Sequence, residues 1–253
     1  NMQKRTHFLY LISVLILVSC KPIYLSDSKV DPNFHLYLLA GQSNMAGRGE
    51  VDSLSTPNNI RILMLNEEDE WNIARDPLHF DKPKVAGVGP GLAFAQKMLS
   101  FEKDKNVRIG LIPCAVGGTS IDQWQDSLYD ESVARLHIAL QYGVIKGIIW
   151  HQGESDSSEE KAEVYIDKLQ KLIARYRDET GNDDLPFVAG ELGYYKENYK
   201  NINNELKKLP ELVSHTAVAT SEGLVHKGDG THLDSESART LGERMAVEMH
   251  ELQ

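Results

Sequence analysis

The feature that most limits how this chain can fold is an alternation of short apolar runs with longer stretches of helical period. The runs fall at 36–40, 60–65, 107–113, 145–150, 186–190 and 216–220, and most carry Ile, Leu and Val without strict alternation. Strands covered on both faces have this character, because neither face can be polar. Helices are predicted between them. One opens near Pro90, a residue suited to a first helical turn. Another covers about 131–142, and a long one about 158–180, where Tyr165, Leu169, Leu172, Ile173 and Tyr176 share a helical face and Gly181 stops the helix. The last covers about 235–252. Strands alternating with helices need crossover connections, so the expected class is α/β, a doubly wound sandwich around a mainly parallel sheet.

With 41% hydrophobic residues in 253, the chain has enough apolar material for a substantial core. Its first 20 residues differ from the rest: Lys4 and Arg5 precede an apolar stretch from Phe8 to Val18. That stretch is too short to span a hydrocarbon layer about 30 Å thick, and a basic start before it suits a secretory signal. Leu17-Val18-Ser19-Cys20 resembles a bacterial lipobox, in which the new N-terminal cysteine is lipidated; an ordinary cleaved signal with an incidental Cys20 is the alternative. The expected organisation is a signal at 1–20 ending at Cys20, a polar tether at 21–33 and one domain at 34–253. The expected location is an exported lipoprotein of the periplasm or cell envelope, held to a membrane through Cys20.

The formal net charge of −10, without basic clusters, offers no footprint for a phosphate backbone, so nucleic acid is not an expected partner. The chain has two cysteines, so with Cys20 lipidated Cys114 stands alone. Following an apolar run, Cys114 reads as a small core residue, and no disulfide framework is expected.

In an open parallel sheet, loops at the carboxyl ends of the strands converge on one crevice. Three polar segments follow apolar runs: Gly41-Gln42-Ser43-Asn44-Met45, Gly117-Gly118-Thr119-Ser120 and His151-Gln152-Gly153-Glu154-Ser155-Asp156. A fourth, Asp229-Gly230-Thr231-His232-Leu233, precedes the final helix. Together they hold the parts of an acyl-transfer site. Ser43, after the tight turn that Gly41 permits, is the candidate nucleophile; a helix cap is the plainer role for it. The G-x-S-x-G elbow of α/β-hydrolases is not met, because Met45 takes its last place.

His232 is the candidate base, and Asp229, three residues earlier, can accept from its other nitrogen. A polar turn with a surface histidine, or Asp229, His232 and Asp234 as metal ligands, are the other readings of that segment. Glu154 is either an alternative partner for His232 or a lock on its own loop; Asp229 is preferred. Backbone N–H groups of Ser43 and Gly118 and the Gln152 amide are the candidate oxyanion donors.

Gly41-Gln42-Ser43, His151-Gln152-Gly153-Glu154 and Asp229-x-x-His232, in this order, resemble the SGNH hydrolases of carbohydrate esterase family 6 and the sialate O-acetylesterase-like domain. The resemblance covers about residues 34–250. It implies a flavodoxin-like, three-layer α/β/α fold and a Ser-His-acid ester hydrolysis without cofactor. It also implies an acetylated carbohydrate as substrate: acetylated xylan or a related polysaccharide, or O-acetylated sialic acid. In some members a Glu is assigned as the triad acid, which would correspond to Glu154. Around the site, Arg48, Trp124, Asn44, Glu191, Glu222 and His226 are candidate sugar contacts, Trp124 by stacking and the others by bonding hydroxyls. An esterase for longer acyl chains and a glycan-binding surface lipoprotein without hydrolysis are the rival readings.

Overall fold

The computed structural model describes residues 30–56 and 59–253. The expected signal, Cys20 and most of the tether lie outside the described residues. Among the described residues, seven strands form one sheet: β1 (Phe34–Gly41), β2 (Ile62–Leu65), β3 (Trp71–Ile73), β4 (Arg108–Pro113), β5 (Val144–His151), β6 (Phe187–Gly190) and β7 (Thr216–Ala219). Their spatial order is β3-β2-β4-β1-β5-β6-β7, and every pair is parallel except β2 with β3. The helices are α1 (Ser43–Ala46), α2 (Pro90–Phe101), α3 (Ser127–Leu140), α4 (Glu159–Ala162), α5 (Tyr165–Thr180), α6 (Tyr199–Leu206), α7 (Leu209–Leu212) and α8 (Ser235–Glu251).

The sheet separates two cores, which is why its strands look uniformly apolar. Along β1, Leu36, Leu38 and Ala40 point into one core with Trp150, Leu169 and Tyr176, while Tyr37 and Leu39 point into the other with Phe94, Leu241 and Met245. Helices α3, α5 and α6 cover the first face, and α2 and α8 the second. The result is the expected three-layer α/β/α sandwich with a mainly parallel sheet. Strands β2 and β4 lie on one side of β1 and β5 to β7 on the other. The loops after β1, β4 and β5 therefore meet where the winding direction reverses, the place where such sheets hold their ligands.

All six apolar runs are strands. Strand β3 was not foreseen: it is three residues long and returns antiparallel to β2 through a turn in which the Asn66 side chain accepts from the N–H groups of Glu68 and Glu70. The helix expected at 158–180 is two helices, since Val164 leaves helical geometry at φ −106 and ψ 0. The apolar period does not register that break, because Ala162 and Tyr165 on either side both face the core. Helix α5 ends at Gly181 in the left-handed conformation, as expected. Cys114 packs against the first core, and burial pushes its thiol up to about 12, so it stays protonated and unreactive.

Candidate active site

At the end of β1 the chain must turn sharply and pass close to β5. Gly41 has φ +137, and a Cβ there would lie 2.1 Å from the His151 carbonyl oxygen. Only glycine fits, and the turn it allows places Ser43 at the start of α1. The Ser43 hydroxyl lies 3.1 Å from His232 Nε2, and His232 Nδ1 lies 2.8 Å from Asp229 Oδ2. These three side chains, 189 residues apart in the chain at the widest, form one hydrogen-bonded line.

Asp229 is fixed by its own turn. Its Oδ1 accepts from the N–H groups of Thr231 (2.9 Å) and His232 (2.8 Å). Desolvation pushes this carboxyl upward, but the N–H groups of His232 and Thr231 and the imidazole outweigh it and hold Asp229 well below the usual carboxylate range. The acid facing His232 is thus Asp229. Asp234 serves elsewhere: its side chain accepts from the Ser237 N–H as the N-cap of α8.

Glu154 does not reach His232. Its side chain is buried, Oε1 accepts from Asn44 Nδ2 at 2.6 Å, and His151 Nδ1 stands 3.7 Å from the same oxygen. Asn44 therefore points inward, not toward a substrate. Its Oδ1 accepts from the Leu233 N–H (2.9 Å), and its Nδ2 also donates to the Thr231 carbonyl (3.2 Å).

The expectation that Gln152 donates to an oxyanion is not met. Its fully buried Nε2 donates toward Asp156 Oδ2 (2.6 Å), Thr119 O (3.0 Å) and Gln42 Oε1 (3.1 Å), which uses both of its hydrogens. Gln152 instead ties the loops after β1, β4 and β5 together. Asp156, given no role in the sequence reading, completes this tie by accepting from the Ile121 N–H at 2.8 Å. The N–H groups of Ser43 and Gly118 have no partner among the described residues and remain the donors available to an oxyanion.

The loop bearing Gly118 rests on a buried ion pair. Arg48 Nη2 meets Asp81 Oδ2 at 2.6 Å, and the same oxygen accepts from the Gly117 N–H at 2.8 Å. A Cβ on Gly117 would lie 2.4 Å from the Arg48 guanidinium, so the chain lies directly on that pair. Burial raises the Asp81 carboxyl, and Arg48 with the Gly117 N–H more than offsets this, leaving it below the usual range. Lys82 adds a bond from Nζ to the Gly117 carbonyl at 2.8 Å. Neither Asp81 nor Lys82 stood out in the sequence, since neither follows an apolar run.

Most expected sugar contacts are corrected. Arg48 is spent on Asp81 and on the Gly47 carbonyl. Trp124 is 0% exposed, packs edge-on against Trp150 with centroids 5.2 Å apart, and donates to Thr119 Oγ1, so no sugar can stack on it. Glu191 is buried and accepts from Tyr194, Thr220 and the Ser221 N–H. Glu222 is exposed, with only its backbone engaged, on Thr220 and Arg244. His226 shapes the loop of Asp229 and His232 from within: its Nδ1 accepts from the N–H groups of Gly228 (2.9 Å) and Gly230 (3.1 Å). The signal that separates these roles, burial beside a charged partner, is tertiary and leaves no mark on the local sequence.

Comparison with known proteins agrees with this architecture. Residues 33–251 match the family model described as carbohydrate esterase, sialic acid-specific acetylesterase. A protein of Arabidopsis thaliana named "Probable carbohydrate esterase" is 34% identical over 243 residues, covering 87% of this chain and 91% of its own length. A solved structure of an Arabidopsis thaliana protein superposes with a TM-score of 0.80 at 32% identity, over 87% of this chain and 99% of that one. Two more distant structures share the fold. The carbohydrate acetylesterase XAC1771 of Xanthomonas citri has a TM-score of 0.68 at 19% identity, over 86% of this chain and 56% of that one. NanS has a TM-score of 0.66 at 17% identity, over 88% of this chain and 98% of that one. With the family model matched over nearly all of the described residues, the chain belongs to the carbohydrate esterase, sialic acid-specific acetylesterase family.

Proposed function

We propose that the protein is a serine esterase that removes O-acetyl groups from a carbohydrate through an acetyl-enzyme. The observation carrying this reading is the line from Ser43 Oγ to His232 Nε2 (3.1 Å) and from His232 Nδ1 to Asp229 Oδ2 (2.8 Å). Ser43 Oγ attacks the acetyl carbonyl while His232 Nε2 takes its proton, and Asp229 stabilises the imidazolium that forms. The oxygen that gains charge is met by the N–H groups of Ser43 and Gly118. As the tetrahedral centre collapses, the bond to the sugar oxygen breaks and His232 returns the proton to it. Water then attacks the acetyl-serine with His232 again as base, releasing acetate and free Ser43.

The substrate classes in view are acetylated xylan or a related polysaccharide, and O-acetylated sialic acid, the latter supported by the family description. Acetate release from both, with wild type and Ser43→Ala, separates them. Release from one substrate, lost in the variant with folding intact, is expected. Undiminished release by Ser43→Ala would sink the serine mechanism. Export and membrane anchoring through Cys20 belong to the same proposal, which Leu17-Val18-Ser19-Cys20 supports. Palmitate labelling in cells that is lost in Cys20→Ser is the expected result.

A further inference from the structure

The base of this site sits on a loop that Asp229 cannot anchor. Asp229 and His232 belong to the same turn, so their bond sets the ring's angle within the loop but moves wherever the loop moves. The turn carries Gly228 and Gly230 at φ +111 and +71, conformations that glycine adopts without strain, and residues 227–229 are exposed. Something must tie this loop to the short helix that carries Ser43, because misplacing a catalytic group by about 1 Å can cost roughly 10²-fold in rate.

Asn44, the residue after Ser43, makes that tie. Its Oδ1 accepts from the Leu233 N–H (2.9 Å) and its Nδ2 donates to the Thr231 carbonyl (3.2 Å), so one amide grips the peptide groups on both sides of His232. The grip works in one orientation only. With the amide reversed, its oxygen would face the Thr231 carbonyl and its NH₂ would face the Leu233 N–H. Glu154 selects the working orientation, because a carboxylate accepts and cannot donate, and its Oε1 takes the remaining Nδ2 hydrogen at 2.6 Å.

The carboxylate is costly to keep there. Glu154 Oε2 is buried without a hydrogen-bond partner among the described residues, and so is His151 Nδ1 beside it. A buried charge compensated this sparingly is a poor source of stability, which points to a use in the site.

We propose that Glu154 is a positioning residue, acting through Asn44 to hold the backbone on both sides of His232 in register with Ser43. This rests on the assignment of Ser43 and His232 as nucleophile and base. It gives Glu154 a role other than triad acid and gives Asn44 a role other than substrate contact.

The test measures kcat and KM for acetyl-ester hydrolysis, with the rate at which a fluorophosphonate labels Ser43, in five variants of known melting temperature. Asp229→Asn, which removes the acid, is expected to lower kcat by about 10⁴-fold. Asn44→Asp sets carboxylate against carboxylate and should lower kcat and labelling together by about 10²-fold, with KM changed less than about threefold. Glu154→Gln keeps a carbonyl acceptor and should cost less than about tenfold. The double variant Asn44→Asp/Glu154→Gln exchanges donor and acceptor across the same contact, and should recover at least about tenfold over Asn44→Asp. A purely structural role would not produce that rescue.

Glu154→Gln falling as far as Asp229→Asn would overturn the proposal in favour of Glu154 as the acid. So would wild-type kcat in Asn44→Asp, or no rescue in a folded double variant. If Asn44→Asp fails to fold, Glu154→Gln against Asp229→Asn still decides between the two roles. Ser43→Ala, the fifth variant, reports on the reading beneath: full activity there would remove the triad itself, which is a different failure from any of the others.

Discussion

At the scale of single residues, the site is a set of polar groups whose partners determine what each can do. That Ser43, His232 and Asp229 meet in one hydrogen-bonded line was legible from the sequence, because each sits in a short polar segment with its own chemistry and Asp229 lies three residues before the histidine it faces. Gln152 and Trp124 were misread for one reason. A residue type suited to a role reveals nothing of whether its donors are already spent or its ring already buried, and here both are. Asp229 illustrates what the structure adds. Its carboxyl, held below the usual range, stays ionised at any pH suited to assay, so its charge is always available to His232. Asp229→Asn should therefore lower kcat by about 10⁴-fold across the whole assay range, by leaving His232 without its acceptor. A pH–rate series would show it, and a variant retaining more than about a tenth of wild-type kcat would exclude Asp229 as the acid.

At the scale of elements, the sandwich was readable because β1, β4 and β5 are apolar on both faces, a pattern that a two-core sheet imposes on its central strands. The short pieces were not readable. Strand β3 and helices α6 and α7 owe their form to what they pack against: Tyr199, Ile202 and Leu206 of α6 bury against the first core, and three or four apolar residues make no decisive period. The loop after β4 shows an element held from outside itself. Its conformation depends on Asp81, which holds the Gly117 N–H, and on Arg48, which lies against both. Arg48 and Asp81 have side chains only 4% and 2% exposed, so removing one partner leaves a buried charge uncompensated. Arg48→Met should cost about 3–5 kcal/mol of stability. Chemical denaturation tests this, with Arg48→Met/Asp81→Leu expected to regain part of the loss. A double variant no more stable than the single one would show that the pair contributes through geometry and not through charge balance.

At the scale of the whole molecule, two buried groups three residues apart, Asp76 and His79, give its stability opposite dependences on pH. Asp76 has both carboxylate oxygens buried without a hydrogen-bond partner among the described residues, and burial pushes it up to about 7. The Asp52 charge adds to that shift, while Arg239 and the nearby Gly89 N–H, outside hydrogen-bond geometry, pull the other way. The folded state then binds this proton more tightly than the unfolded chain, whose carboxyl titrates near 3.8, so stability falls as pH rises from about 4 to about 7. His79 is the reverse case. Burial lowers it to about 4 from 6.5, the unfolded chain takes the proton first, and stability falls as pH drops through the same interval. Over pH 4 to 6.5 the two slopes nearly cancel. Asp76→Asn should therefore do more than stabilise the protein near neutrality: it should expose the His79 slope, with stability rising between pH 4.5 and 6.5 by up to about 1.4 kcal/mol per pH unit. Urea midpoints of wild type and variant at those two pH values measure the difference. Parallel behaviour of the two proteins would mean that the folded Asp76 carboxyl is already charged throughout this interval, as it is in the unfolded chain.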